Sequence, residues 1–260
     1  MRIAVVSGAS SGLGREFVLQ LDQRATVDQL DEIWLIARRE ERLEELSRRL
    51  RTKARCLPLD LLQDASYGIL AEQLKEAKAE IHWCVLSAGV GKQGAFSDLS
   101  DAELKAMIDL NCKALTWITH LLSPYFTEGS KLILISSSAA FLPQPHFAVY
   151  AATKAYVLSF ARALTFEWKE RRIVVLVTCP GPMETEFTEI AGQSSDSRSG
   201  KIKALGMERT DQVASYAIKS CLKRREIALH SPAAHGIRFI SRVLPHPLIL
   251  RIESLLGMFR

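Results

Sequence analysis

The apolar residues of this chain fall into seven short runs, separated by longer segments in which apolar residues recur at helical spacing. The runs lack the alternation of apolar and polar positions that a half-exposed strand would show. Strands of this kind are covered on both faces, which is typical of a parallel sheet between helices. The predicted strands are residues 2–7, 32–37, 54–59, 82–87, 131–136, 173–178 and 226–231.

Six amphipathic segments lie between or after these strands. Ser100 and Glu103 form the sequence pattern of a capping box at the start of the fourth segment. Strict alternation of strand and helix, with right-handed crossovers, predicts an α/β doubly wound sheet whose ligands bind at the carboxyl ends of the strands. The predicted helices are residues 13–23, 41–51, 64–78, 101–124, 148–171 and 211–223.

Two segments depart from this alternation. Residues 191–200 are small and polar, which predicts a mobile surface loop. Residues 1–234 form one predicted domain, and residues 235–260 form an amphipathic tail. The apolar stripe of the tail consists of Leu248, Ile249, Ile252, Leu255, Leu256 and Phe259.

The partner of the tail stripe is open at this point. Packing on the same chain or on a second subunit is the favoured interpretation, because most amphipathic helices face protein. A peripheral membrane contact is the less favoured alternative. It is suggested by the basic residues Arg238, Arg242, Arg251 and Arg260.

The overall composition excludes several classes of protein. With 48% hydrophobic and 24% charged residues in 260, the chain is globular in composition. A net charge of +5 is too small to indicate a nucleic-acid partner. The five cysteines are widely spaced, and neither a CxxC pair nor an HExxH motif occurs, so we expect free thiols and no metal site. No secretory h-region precedes the first strand and no apolar run reaches about 18 residues, so we expect a cytoplasmic protein.

A glycine-rich turn, GASSGLG, connects the first strand to the first helix. Gly8, Gly12 and Gly14 allow the backbone to turn sharply and to approach a pyrophosphate closely. The free N–H groups and the positive end of the helix would then face the phosphates, and Ser10 and Ser11 can add hydroxyl donors. The turn predicts a nucleotide site.

The second strand ends in two arginines, Arg38 and Arg39. NAD-binding proteins usually carry an acid here to bind the ribose 2′-hydroxyl group. A guanidinium group instead suits a 2′-phosphate, and no carboxylate follows the strand directly to repel it. The sequence therefore favours NADP(H) over NAD(H).

Tyr150 and Lys154 lie four residues apart on the fifth predicted helix, so their side chains share one face. A free phenol has a pKa of about 10, which is poorly matched to proton transfer at neutral pH. A neighbouring ammonium group stabilises the phenolate and should lower that pKa. We therefore expect Tyr150 to act as a proton-transfer group that Lys154 activates.

These motifs, in this order, resemble those of the short-chain dehydrogenase/reductase family over about residues 2–190. The spacing G-x-x-x-G-x-G, with Ser7 in place of threonine, matches the family's first loop. The sequence SAG stands where the family has N-A-G, and CPGPMET matches P-G-x-x-x-T. The resemblance implies a Rossmann-like, seven-stranded parallel sheet in the order 3-2-1-4-5-6-7, with helices on both faces.

The resemblance also assigns cofactor contacts. Leu13 belongs to the glycine loop, and Asp60 and Leu61 stand where the family contacts the adenine, although a capped strand end explains them equally. Beyond these, the implied contacts are Ser87, Ala88 and Gly89 with the adenosine ribose and diphosphate, and Pro180, Gly181, Met183 and Thr185 with the nicotinamide.

The same resemblance implies a catalytic tetrad of Asn111, Ser137, Tyr150 and Lys154. The family's usual separation of serine and tyrosine selects Ser137 from three consecutive serines, with Ser138 as the alternative. Ser137 would hydrogen-bond the substrate oxygen, and Asn111 would hold a water that connects the lysine to solvent. Family members are often dimers or tetramers built on the fourth and fifth helices, so we expect a homodimer or homotetramer.

The sequence thus predicts an NADP(H)-dependent oxidoreductase that interconverts a carbonyl and a secondary alcohol. An NADP(H)-binding sensor with little turnover is the main alternative, and a methyltransferase that binds S-adenosylmethionine is a third. A small hydrophobic substrate is suggested by apolar residues near the motifs. These residues are Phe141, Leu142, Phe147, Phe187 and Ile190.

Overall fold

A parallel sheet of seven strands forms the centre of the computed structural model, which describes residues 1–191 and 207–255. The strand order is β3-β2-β1-β4-β5-β6-β7, which confirms the predicted topology. The strands are β1 (Arg2–Ser7), β2 (Glu32–Ala37), β3 (Ala54–Pro58), β4 (Glu80–Leu86), β5 (Phe126–Ile135), β6 (Val174–Thr178) and β7 (Ile227–Ala228).

Helices cover both faces of this sheet. Ser100 accepts a hydrogen bond from the Glu103 N–H group and the Glu103 side chain bonds back to Ser100, which confirms the capping box. The α-helices are α1 (Gly12–Asp28), α2 (Glu40–Ser47), α3 (Ala65–Glu76), α4 (Asp101–Ile108), α5 (Leu115–Leu122), α6 (Ala148–Glu167), α7 (Glu186–Ile190), α8 (Thr210–Leu222), α9 (Pro232–Val243) and α10 (His246–Leu255).

The strand sequences are apolar throughout because both faces of the sheet are buried. Along β1, Ile3 and Val5 belong to one core cluster, whereas Ala4 and Val6 belong to the cluster on the opposite face. Val5 pairs with Trp34 of β2 and with Cys84 of β4. Strand β1 therefore has a neighbouring strand on each side and a core cluster on each face, so it is buried.

The fourth predicted helix is not continuous. A π-helical turn, Asp109–Ala114, separates α4 from α5, so one extra residue is accommodated between two regular helices. The turn contains Asn111, whose side chain is buried and bonded to a neighbouring loop. Helical periodicity alone could not predict it, because the cause is this contact with a distant segment.

Two predicted strand lengths were wrong. Strand β5 begins at Phe126, five positions before the predicted start, because Ser130 bonds the Ile81 carbonyl and keeps this segment beside β4. Strand β7 holds only two residues, since it pairs with Val177 and Thr178 alone at the edge of the sheet.

The thiols and the end of the chain complete the fold. All five cysteines are free, as expected. The predicted loop falls almost entirely outside the described residues, and so do Leu256 and Phe259 of the tail stripe. Residue 235, the predicted start of the tail, lies inside α9. Within α10, Ile249 is buried but Leu248, Ile252 and Leu255 are exposed.

Candidate active site

The glycine loop lies between β1 and α1, at the carboxyl edge of the sheet. Gly8 has φ +69°, and a Cβ atom there would lie 2.8 Å from the Ala88 nitrogen, so this position requires glycine. Ser11 is the N-cap of α1 in extended conformation, and its side chain makes no capping bond. The first turn of α1 contains no acidic residue. Free amide groups and the positive helix end therefore face an open space that suits a phosphate.

An open cleft of about 370 Å³ adjoins this loop. It is lined by Ser10, Ser11, Gly12, Arg15, Arg42, Glu45, Leu46 and Glu186. The cleft thus combines the glycine loop with the start of α2 and with the segment that follows Thr185.

Arg39 lies at this cleft, whereas Arg38 is exposed at the end of β2. The Arg39 guanidinium is 3.2 Å from Ser10 Oγ and 2.9 Å from Glu186 Oε2. Arg42 forms a second ion pair with the same carboxylate. The arginines Arg42 and Arg39 lower the pKa of Glu186, so it is a carboxylate at neutral pH. The sequence analysis found no carboxylate directly after β2, but Glu186, about 150 residues further along the chain, provides one that pairs with these arginines.

The loops after β3 and β4 form the opposite wall of the nucleotide region. The Ala88 N–H group donates to Ser7 Oγ at 3.3 Å, which ties the SAG segment to the end of β1. Asp60 accepts a bond from the Leu62 N–H group at 3.1 Å, and Leu61 is buried. The Asp60 carboxylate thus stabilises its own turn.

The three consecutive serines follow β5 and have different roles. Ser136 is buried and donates to the Lys154 carbonyl at 2.7 Å, which fixes α6 against the end of the strand. Ser137 Oγ accepts from the Ala139 N–H group at 3.1 Å. The Ser137 hydroxyl also lowers the pKa of the Tyr150 phenol in part. The Ser138 N–H group donates to the Pro180 carbonyl at 2.8 Å. Of the three serines, Ser137 is therefore the one that influences the pKa of Tyr150.

Tyr150 and Lys154 lie side by side on α6, and both are buried. Lys154 Nζ lies 5.6 Å from the centre of the phenol ring and donates to the Ile135 carbonyl at 3.0 Å. The ammonium is therefore held between the end of β5 and the tyrosine.

Burial controls the titration of both side chains. It raises the pKa of Tyr150 to about 12, although the Ser137 hydroxyl lowers that pKa in part. It also lowers the pKa of Lys154 to about 8. The expected lowering of the Tyr150 pKa was therefore wrong for the protein without ligands, because desolvation of the phenolate outweighs the stabilisation by its neighbours. At neutral pH the Tyr150 phenol is therefore protonated.

Asn111 projects from the π-helical turn toward the loop after β4. Its Oδ1 atom accepts from the Val90 N–H group at 2.9 Å, and its Nδ2 atom donates to the Val90 carbonyl at 2.8 Å. Nδ2 also donates to Thr153 Oγ1 at 3.0 Å, which connects the turn to α6. Asn111 thus holds three elements of the site in one arrangement.

The segment after β6 carries Pro180, Gly181, Met183 and Thr185 across the same edge of the sheet. Thr185 faces Gly12 of the glycine loop. The Gly181 N–H group donates to Oε1 of Glu208 at 2.8 Å, and Glu208 is buried. Glu208 also donates its own N–H group to the Pro182 carbonyl, so it fixes this segment through two bonds.

Aromatic residues cover the phenol of Tyr150. Its ring stacks on Phe147 with centroids 4.2 Å apart, and Phe187 lies on it at 5.5 Å. A Cβ atom on Gly91 would lie 2.7 Å from the Phe187 ring and 2.9 Å from the Tyr150 ring, so the two rings pack closely against this glycine. Phe187 therefore lies over Tyr150, directly after the residue that binds Arg39 and Arg42.

The structure brings the predicted residues together at the carboxyl ends of the strands. The free N–H groups of the glycine loop would suit the phosphates of a dinucleotide, and Thr185 lies beside that loop. The aromatic residues around Tyr150 would line a less polar part of the site. This polar and apolar distribution fits a nicotinamide dinucleotide. The sequence analysis missed Glu186 and Glu208, because no local pattern indicates that a distant carboxylate will meet Arg39 or Gly181.

Residues 2–196 match the short chain dehydrogenase family. One similar protein is the very-long-chain 3-oxoacyl-CoA reductase of Rattus norvegicus. It is 28% identical over 230 residues, which cover 83% of this chain and 72% of that protein.

Solved structures show the same fold. A short-chain dehydrogenase from Sphingobium yanoikuyae in complex with NADPH has a TM-score of 0.75 and 23% identity, with 100% of this chain and 97% of that chain covered. A short-chain dehydrogenase/reductase from Burkholderia phymatum in complex with NAD has a TM-score of 0.78 and 20% identity, with 96% and 95% covered. The structures with this fold therefore include complexes with both nicotinamide cofactors.

Proposed function

Because the chain belongs to the short-chain dehydrogenase family, we propose that it is an NADP(H)-dependent oxidoreductase that interconverts a carbonyl and a secondary alcohol at Tyr150. One observation carries the proposal. A buried phenol on α6 is influenced by a serine hydroxyl that closely follows β5, and a buried lysine lies 5.6 Å from its ring, one turn further along the helix. These three groups are the ones that proton transfer to a carbonyl oxygen requires.

The protein supplies positioning and proton transfer. When bound, a reduced nicotinamide supplies the hydride. Ser137 donates a hydrogen bond to the carbonyl oxygen and holds the carbonyl in position, and charge that develops on the oxygen strengthens this bond. Tyr150 gives its phenolic proton to the same oxygen, so the product is a neutral alcohol. Lys154, charged below its pKa of about 8, stabilises the phenolate that remains.

The cofactor preference rests on the cleft beside the glycine loop. Arg39, with Arg42 and the exposed Arg38, supplies guanidinium groups that suit the 2′-phosphate of NADP(H). Glu186 binds two of these arginines. The 2′-phosphate therefore has to displace this carboxylate from the arginines, which offsets part of the preference for NADP(H).

The substrate is proposed to be hydrophobic. Tyr150 lies in a small apolar cluster that includes Met107, Phe147 and Phe187. A polar substrate would lose water there without finding hydrogen-bond partners. The name of the rat relative, which includes a long acyl chain, agrees with this proposal.

A homo-oligomer built on α5 and α6 also belongs to this proposal. These helices expose three large aromatic side chains, Trp117, Tyr156 and Phe166. Exposed aromatic residues of this kind are enriched at the interfaces between subunits.

Replacing Tyr150 with phenylalanine tests the function. The variant should bind NADPH as tightly as the parent protein, because the role proposed for the hydroxyl group is proton transfer to the substrate and not cofactor binding. Its turnover should fall at least a hundredfold. The measurement is NADPH oxidation over a panel of ketones, aldehydes, steroids and 3-oxoacyl thioesters. Undiminished turnover in the variant would refute the role of Tyr150. NADPH binding by the parent protein without turnover of any compound would instead support the sensor alternative.

A further inference from the structure

The α9 and α10 helices present an apolar outer surface that the described protein does not cover. Phe239 is 68% exposed, Val243 60% and Leu255 88%. Exposure of this much apolar surface in one place is uncommon in a protein without a partner there. We define the α9–α10 surface as Phe239, Ile240, Val243, Leu244, Leu248, Ile252 and Leu255.

The inner sides of the same helices attach them to the protein. Ser231 caps α9 through the Ala234 N–H group at 3.2 Å, and Ala234 is buried. His235 bonds the Leu229 carbonyl at 3.1 Å, and Ile249 of α10 is buried. Phe239 and Ile240 precede Val243 by four and three positions on α9, so they share one face of that helix. Leu248, Ile252 and Leu255 are four and three positions apart and share one face of α10. The surface is therefore held in place while its apolar side faces outward.

The charges beside this surface are basic. Arg242 and Arg251 are exposed on the two helices, and Arg238 is partly buried between α9 and the body of the protein. Residues 231–260 contain four arginines and one glutamate. Apolar side chains flanked by arginines are the composition of helices that lie in the interface of an anionic bilayer.

A second copy of the chain fits this surface less well. In a two-fold contact each copy presents the same residues, so the contact would carry the positive charge of Arg242 and Arg251 from both copies. The aromatic face of α5 and α6 has no such excess of positive charge and suits a subunit contact better. Among the described residues, no helix is both long and apolar enough to cross a membrane. The contact would therefore be peripheral.

We propose that the α9–α10 surface binds the protein to anionic membranes, with its apolar residues in the interface and its arginines at the phosphate groups of the lipids. The surface adjoins the site described above, since α9 packs against the short turn Ser138–Phe141. Membrane binding is a property of this surface alone and does not depend on turnover.

Vesicle co-sedimentation of the whole protein tests the proposal. We expect the fraction bound to phosphatidylcholine vesicles with about one third phosphatidylglycerol to exceed the fraction bound to pure phosphatidylcholine at least fivefold at low salt. Replacing Val243 with aspartate should reduce binding to the anionic vesicles at least fivefold. The matched change Val27→Asp alters another exposed valine, on α1, and should leave binding within about twofold of the parent protein.

A second pair of variants tests the charges. Arg242→Glu should weaken binding to the anionic vesicles at least fivefold. The control Arg49→Glu changes an exposed arginine that follows α2, outside the α9–α10 surface, and should not weaken this binding. NADPH affinity and circular dichroism verify that each variant is folded. The proposal is overturned if the parent protein binds neither kind of vesicle, or if Val243→Asp binds as the parent does. It is also overturned if Val243→Asp changes only the mass in solution, from oligomer to monomer, since the surface would then join two copies.

Discussion

Glu186 allows a quantitative test of the proposed cofactor preference. Its carboxylate binds Arg39 at 2.9 Å and also pairs with Arg42, and the three side chains are 36–45% exposed. Exposed ion pairs of this kind contribute about 0.2–1 kcal/mol each. A 2′-phosphate that binds these arginines must replace both pairs, so Glu186 should reduce NADPH affinity by about 1 kcal/mol in total. NADH carries no 2′-phosphate and need not displace the carboxylate.

Changing Glu186 to glutamine keeps the shape of the side chain and removes its charge. We expect the Kd of NADPH to fall about three- to tenfold, whereas the Kd of NADH should change by less than about twofold. Isothermal titration calorimetry at low and high salt measures both, and the gain for NADPH should shrink at high salt, where charge interactions are screened. Glu184→Gln removes the same charge from an exposed position two residues earlier and is the matched control.

A double-mutant cycle connects the effect to Arg39. Replacing Arg39 with alanine should weaken NADPH binding. In the Arg39→Ala background, Glu186→Gln should have a smaller effect on NADPH affinity, because the Arg39 guanidinium that it would release for the 2′-phosphate is absent. If Glu186→Gln leaves the ratio of the two Kd values as in the parent protein, or tightens NADH equally, competition between Glu186 and the 2′-phosphate is refuted.

Two further predictions follow from the titration of buried groups. The pKa of Lys154 is about 8 and that of Tyr150 is about 12, so kcat/KM for carbonyl reduction should be constant at neutral pH and fall above about pH 8. Lys154→Arg should move this fall to higher pH, because a guanidinium group stays charged. An unmoved profile would contradict the role of Lys154 as the charged partner of Tyr150. Burial and the charge of Lys131 lower the pKa of His82 from 6.5 to about 4. Between pH 6.5 and pH 4 the unfolded chain therefore binds more protons at His82 than the folded protein does, so the free energy of unfolding should decrease as the pH falls through this range. The loss is about 3 kcal/mol, and urea unfolding should show that His82→Gln removes it but that the exposed control His120→Gln does not.

Much of the candidate site could be predicted from local patterns. Gly8 and the start of α1 form a short continuous segment, and Tyr150 and Lys154 are one helical turn apart. In such cases the geometry follows from neighbouring residues in the chain, so periodicity and spacing were sufficient. The choice among the three serines depended on the family resemblance, and Ser137 stays a prediction that agrees with its lowering of the Tyr150 pKa.

Other features depend on residues far apart in the sequence. The sequence predicted that an ammonium would lower the pKa of Tyr150, but the packing of Phe147 and Phe187 removes water from the phenol and raises that pKa instead. The π-helical turn at Asn111 has a similar cause, since its side chain bonds Val90 about 20 residues away. Burial of this kind is a property of the assembled core.

The sequence by itself determined the alternation of strands and helices, because strands buried on both faces and helices with one apolar face have different periodicities. The order of the strands in the sheet followed from the family resemblance. The sequence also determined which chemical groups stand at the carboxyl ends of the strands. Only the tertiary structure decided that Glu186 meets Arg39 and Arg42, and that the apolar outer residues of α9 and α10 remain uncovered. The physical reason is that side-chain contacts and solvent exposure depend on how separate elements pack, whereas periodicity records only the burial of each element by itself.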